Sequence, residues 1–237
     1  GKNMPGSAGL KRIWKILIGI FAVVGVLITA LFLIPSGPGG QTLPLQLQYE
    51  MFADGLQFTF SGGSPDYSLT VAAGDEIRYG GDLEESGEFA ISFEKFFAYP
   101  GDYVLRIEDG QGQVTEKTFT IPEPEDLAVS AFHTTSGMDT DNLWPRDQAQ
   151  LFASGAPVYV FTNLFSGQEQ PVTFKWYDEE ANLLFAPEIH TVPEAIEDPF
   201  RIVTYQQIKN PGGYLIYLVN HNGIIVGETV FGVQADE

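Results

Sequence analysis

The sequence predicts an all-β protein: two tandem antiparallel β-sandwiches preceded by one N-terminal transmembrane α-helix. Three observations carry this reading. An uninterrupted apolar run near the N-terminus has the length of a membrane span. Beyond it, short alternating segments rich in Phe and Tyr are punctuated by Gly, Pro, Asn and Asp. Finally, a pattern opening Pro-Gly-x-Tyr occurs twice, at Pro100 and at Pro211.

The apolar run spans Ile16 to Ile34, 19 residues without a charge and with Thr29 as the lone polar side chain. At about 1.5 Å per residue it forms about 28 Å of helix, close to the ~30 Å hydrocarbon thickness of a bilayer. A helix of a soluble core would show a polar stripe, and this run has none. Trp14 and Lys15 stand where an interfacial aromatic and a snorkelling cation are expected. Pro35 and the Gly/Pro/Ser stretch after it end the run. The run is longer than the ~7–15 apolar residues of a secretory signal and has no small-residue cleavage site close behind it. It is therefore read as an uncleaved anchor: a basic tail over 1–12, a transmembrane helix over 13–35 and a linker over 36–42. Gly19, Ala22, Gly25 and Thr29 fall near one helix face, where small residues let a partner helix approach closely.

Charge sets the expected orientation. The first 40 residues carry Lys2, Lys11, Arg12 and Lys15 and no acid, whereas all 31 acidic residues lie beyond them. The basic excess beside the helix places the N-terminus in the cytoplasm and the long C-terminal part in the periplasm or outside the cell. A net charge of −19 and a pI near 4.3 argue against nucleic-acid binding, which needs a basic face. The absence of cysteine means that no disulfide supports the exported part, which favours a prokaryotic envelope and stability from apolar packing.

After the linker, Leu43, Leu45, Leu47, Tyr49 and Met51 alternate with polar or small residues, the period-two signature of a strand. Further strands are expected at Leu56 to Phe60, Tyr67 to Ala72, Glu76 to Tyr79, Phe89 to Phe93, Tyr103 to Ile107 and Val114 to Ile121. Seven short strands over 43–121 make one sandwich. The Pro- and acid-rich segment over 122–126 is a hinge, since Pro cannot donate to a ladder. A second set fills 127–237. It begins with Leu127 to Thr135 and a buried strand at Pro157 to Phe165. A hairpin turns at Asp178 to Asn182, and strands follow at Phe200 to Ile208, Tyr214 to Asn220 and Ile224 to Val233.

The internal repeat ties the halves together. Pro100 to Ile121 reads PGDYVLRIEDGQGQVTEKTFTI, and Pro211 to Val233 reads PGGYLIYLVNHNGIIVGETVFGV. In both, an alternating strand follows the Tyr, a Gly-containing turn reverses the chain, and a second strand ends near a Phe. The Tyr ring is expected to cover the end of a core while its hydroxyl meets a backbone group. These residues resemble the last hairpin of Ig-like and PKD-like β-sandwich domains. The resemblance covers about 22 residues in each half and departs from true immunoglobulin domains by lacking the Cys…Trp…Cys core. It implies spacer, adhesion or interaction roles and brings no functional residues with it.

No catalytic constellation emerges. His133, His190 and His221 are scattered and belong to no HxxxH or HExxH pattern. Neither a G-x-S-x-G elbow nor a phosphate-binding GxxxxGK[ST] loop is present. Asp139, Asp141 and Asn142 resemble a fragment of a calcium loop without its full pattern, and a solvated loop is the expected reading. Among the aromatics, Trp176 alternates with Phe174 and is expected in a core. Phe96, Phe97 and Tyr99 could form a docking platform, and Trp144, in the polar loop DNLWPRD, is the best candidate for an exposed partner contact.

The sequence thus points to a non-enzymatic protein without a cofactor. The leading expectation is a single-pass accessory or scaffold subunit of a larger respiratory, photosynthetic or secretory membrane complex. Its partners would be integral membrane subunits and the lipid bilayer. The alternative is an envelope-anchored module that binds a glycan or a partner protein.

Overall fold

Seven strands build the first half of the computed structural model, which describes residues 43–139, 141–142 and 144–235. They are β1 (Gln46–Met51), β2 (Gly55–Ser61), β3 (Tyr67–Ala73), β4 (Glu76–Leu83), β5 (Gly87–Ser92), β6 (Gly101–Glu108) and β7 (Val114–Ile121). The tail, the helix over 13–35 with Trp14, Lys15, Gly19, Ala22, Gly25 and Thr29, and the linker lie outside the described residues. Among the described residues no helix is long and apolar enough to cross a membrane.

The seven strands form two antiparallel sheets, β1-β2-β5 and β4-β3-β6-β7. In this order the second strand pairs with the fifth and the third with the sixth, which is the connectivity of an immunoglobulin-like sandwich. Alternation explains why the sheets face each other. Leu56, Phe58 and Phe60 point inward from β2, and Tyr103, Leu105 and Ile107 meet them from β6.

The second half contributes ten strands. They are β8 (Leu127–Thr135), β9 (Met138–Asp139), β10 (Trp144–Pro145), β11 (Leu151–Ala153), β12 (Pro157–Ser166), β13 (Gln170–Asp178), β14 (Glu188–Val192), β15 (Ala195–Gln207), β16 (Gly212–Asn220) and β17 (Ile225–Gln234). Sheet β15-β12-β8 packs on sheet β11-β17-β16-β13-β14, and β9 and β10 form a small hairpin of their own. The chain enters in one sheet as β8 and crosses to the other as β11, which pairs in parallel with β17. Trp176 on β13 is 1% exposed and sits edge-on to Phe185 and Phe231, so it is the core residue expected.

The repeat is realised in both halves. The Tyr103 hydroxyl donates to the Tyr99 carbonyl at 3.0 Å and accepts from the Tyr99 amide at 2.8 Å. The Tyr214 hydroxyl donates to the Asn210 carbonyl at 2.6 Å, again four residues upstream. Each ring stacks on the Phe that closes its hairpin, Tyr103 on Phe119 and Tyr214 on Phe231, with centroids 5.4 Å apart in both. These are the tyrosine corners of two Ig-like sandwiches. Burial raises the pKa of both hydroxyls, which keeps them protonated as donors. Gly101 and Gly212 precede them at φ 144° and 155°, a region that favours glycine.

Asp109, buried in the turn between β6 and β7, organises the far end of the first sandwich. Its carboxylate accepts from the backbone amides of Ser64 at 2.8 Å, Gln113 at 2.7 Å and Gln111 at 3.0 Å. Burial pushes its pKa up, but these amides outweigh burial and hold it below the usual carboxylate value. A depressed folded-state pKa contributes stability above the unfolded value of about 3.9, and that contribution is lost as pH falls through the folded pKa. In denaturant titrations the chain is therefore expected to lose stability below about pH 4. Asp109→Asn should flatten this acid dependence, and an unchanged acid profile in that variant would contradict the assignment.

Candidate functional site

The outer face of sheet β15-β12-β8 gathers aromatic side chains in rows set by strand register. Tyr205, Tyr159 and Thr135 lie side by side, then Val203, Phe161 and His133, then Arg201, Asn163 and Ala131. Between these rows Val160 and Ile202 turn into the core. Period-two alternation alone would leave Phe161 in solvent, yet it is 2% exposed. The β9–β10 hairpin folds over the sheet and lays Trp144 edge-on to Phe161 at 5.8 Å, while the His133 ring lies 5.3 Å away on the same side chain.

Trp144 is thus both a lid over Phe161 and an outward surface, 50% exposed. The Arg201 guanidinium lies 4.8 Å from its ring centroid and donates to the Asn142 carbonyl at 3.3 Å. A cation on an exposed Trp face contributes about 0.5–1 kcal/mol. Among the described residues Arg201 makes no ion pair, although the chain carries 31 acids. Tyr205, 58% exposed, stacks beside Tyr159 at 5.5 Å. Burial lowers the pKa of His133, which keeps that ring neutral at physiological pH. The result is an aromatic face carrying a guanidinium that makes no ion pair among the described residues.

The hairpin holds itself in shape. Asp139 Oδ1 accepts from the Asp141 amide at 3.0 Å, and Asn142 Oδ1 accepts from the Trp144 amide at 2.9 Å. One side-chain oxygen each of Asp139 and Asn142, two of the residues that suggested a calcium loop, is turned onto the chain's own backbone. Among the described residues no group of three or more His, Cys, Asp or Glu side chains is placed to hold a metal ion.

A second constellation joins the sandwiches. Phe96 is fully buried in the first core, while Phe97 and Tyr99 pack on Tyr177 and Tyr217 of the second sandwich. The docking platform that the sequence left open at Phe96, Phe97 and Tyr99 is therefore an internal junction. Phe97 adopts φ 49°, a left-handed conformation that costs a bulky residue of order 1 kcal/mol, and this aims its ring across the junction. In return the β16–β17 turn brings Ile224 into the first sandwich's core. The Ile225 amide donates to the Ala98 carbonyl at 2.8 Å. Lys175 Nζ meets Glu94 Oε1 at 2.5 Å, and the Tyr99 hydroxyl donates to Glu228. Burial first and Glu228 second drive the Tyr99 pKa upward, so that hydroxyl stays a donor. At the 122–126 segment, the Asp126 carbonyl accepts from the Gly167 amide at 3.0 Å and from Gln170 Nε2 at 3.1 Å, which ties its end to the second sandwich.

Sequence reasoning located Trp144 but not Arg201, which stacks on it, nor His133 and Tyr205, which strand register brings to the same sheet face. Ile224 was also missed, and no sequence signal marks it; in the structure Gly223, at φ 83°, makes the tight turn that presents it.

No protein-family model matches the sequence, and no curated protein matches it. Among solved structures, the alkylpurine DNA glycosylase AlkC of Pseudomonas fluorescens, bound to DNA containing an abasic site analog, is 13% identical with a TM-score of 0.33. That match covers 48% of this chain and 32% of AlkC. The BSP domain of a biofilm associated protein is 13% identical with a TM-score of 0.29, over 81% of this chain and 30% of the other. A chimeric titin Z1Z2 tandem is 11% identical with a TM-score of 0.33, over 81% and 92%. This chain spans about a third of the length of the first two. Likenesses this distant carry no functional argument, and the fold rests on the chain's own strand pairings.

Proposed function

We propose that this chain is a non-catalytic, single-pass accessory or scaffold subunit of a larger membrane protein complex, respiratory, photosynthetic or secretory. Its N-terminal helix is held in the cytoplasmic membrane, with the N-terminus inside and the two sandwiches in the periplasm or outside the cell. It works by protein–protein contact and needs no cofactor. The observation that carries this reading is the outward face built from Trp144, Arg201 and Tyr205, since Trp, Tyr and Arg are the side chains that concentrate binding energy at protein interfaces. The packed junction supports it, because two sandwiches held together present such a face in a fixed orientation.

The test is a pull-down of the tagged full-length chain from native membranes, analysed by mass spectrometry. An integral membrane partner is expected to co-purify. Arg201→Ala with Trp144→Ala should weaken its retention at least tenfold, about 1.4 kcal/mol. Retention unchanged in the double variant would remove this face from the contact. Saturable binding to a glycan array, with no protein partner recovered, would instead favour an envelope-anchored adhesion module.

A further inference from the structure

The edge of β17 is only half covered. Over Gly232 to Gln234 it pairs with the three residues of β11: the Gly232 amide donates to the Gln150 carbonyl at 2.8 Å, and the Ser154 amide donates to the Gln234 carbonyl at 3.0 Å. Even-numbered backbone groups of β17 therefore point toward this edge. By the two-residue period of a strand, those of Val230 and Glu228 point the same way. Among the described residues no strand pairs with them there, since β16 occupies the opposite edge. Val230 is 52% exposed. A row of unpaired amides and carbonyls is a template for another strand.

This open stretch borders a cleft of about 600 Å³ at the edge of the second sandwich, beside the 122–126 segment. One wall is β17 from Ile225 to Glu228, and the other is the start of β8, from Leu127 to Val129. Its apolar lining suits alternate side chains of an extended segment. Glu123 and Glu228 supply its charge, and among the described residues no basic side chain lines it. The cleft narrows at Gly227, where an added Cβ would stand 3.1 Å from the Phe132 ring.

We propose that the open edge of β17 at Glu228 and Val230 receives an extended segment of a partner protein, alternating apolar and basic residues, which adds a strand beside it. Main-chain hydrogen bonds to the edge supply the affinity, and the apolar walls and the two carboxylates supply the selectivity. The site lies on a different element from the Trp144 face and stands independently of it.

The test uses the full chain in detergent micelles and a labelled peptide, acetyl-Val-Lys-Val-Lys-Val-amide. Saturable binding is expected by fluorescence anisotropy, with slowed hydrogen exchange at the Glu228 and Val230 amides. The same peptide with Glu in place of Lys, or with alternate amides N-methylated, should bind at least tenfold more weakly. Glu123→Lys should weaken the Lys peptide by a similar factor, and an unchanged melting temperature shows that the variant folds. No binding, equal binding of the N-methylated peptide, or no protection at the two amides would overturn the proposal. These readouts involve no native partner, so failure here is distinguishable from failure of the pull-down.

Discussion

Ile224→Ala is expected to destabilise the protein by about 2–4 kcal/mol and to uncouple its two sandwiches. Ile224 is 6% exposed and belongs to the first sandwich's core although the second sandwich's hairpin carries it. Truncation leaves a void where a side chain of one half completes the core of the other. Partial collapse around that void is resisted by Gly223, since an added Cβ there would already stand 3.1 Å from Glu94 Cγ.

The ion pair across the same junction is the weaker tie. Glu94 is 58% exposed, and pairs open to solvent contribute about 0–1 kcal/mol, against about 1.5–3 kcal/mol for burying an Ile side chain. Lys175→Ala should therefore leave a single cooperative unfolding transition, whereas Ile224→Ala should split it in two. Calorimetry distinguishes these outcomes. Two transitions in the unsubstituted protein would show that the junction does not couple the halves.

The tyrosine corners give the second large effect. Tyr103→Phe keeps the ring but removes a hydroxyl that both donates to and accepts from Tyr99, leaving two backbone groups without that partner. A loss of about 2 kcal/mol is expected. Tyr214→Phe removes one bond, to Asn210, and should cost about half as much. Denaturant midpoints at unchanged slope would measure the difference. Equal costs would mean that the Tyr99 amide contributes nothing to the first corner.

The two corners were legible because a sequence repeat reports a repeated local structure. Pro-Gly-x-Tyr fixes a turn, a strand entrance and a ring in four residues. Strands β3, β6 and β13 were equally legible, since each buries alternate large side chains, and β16 was legible as an apolar run that is buried on both faces. β14 escaped notice because its apolar signal is inverted. Ile189 is 68% exposed, while Glu188 is half-buried between His190 and the Thr204 hydroxyl. The strand expected at Glu76 to Tyr79 is longer in the structure, since Gly80 to Leu83 continue β4 by pairing with β3. Contacts between distant segments left no local trace. Arg201 reaches Trp144 from a strand far along the chain, and Ile224 reads in sequence as the start of a strand rather than as part of the other half's core. Trp144 was legible as exposed, but not as the cover of Phe161, since periodicity says nothing about which loop folds over which face.

Whether this chain works by contact within a membrane assembly is decided by extracting it from native membranes in mild detergent. The mass and composition of the purified particle are then measured. A particle larger than one 26.0 kDa chain, containing at least one other integral membrane protein, is expected. Recovery of the chain as a lone monomer would contradict it.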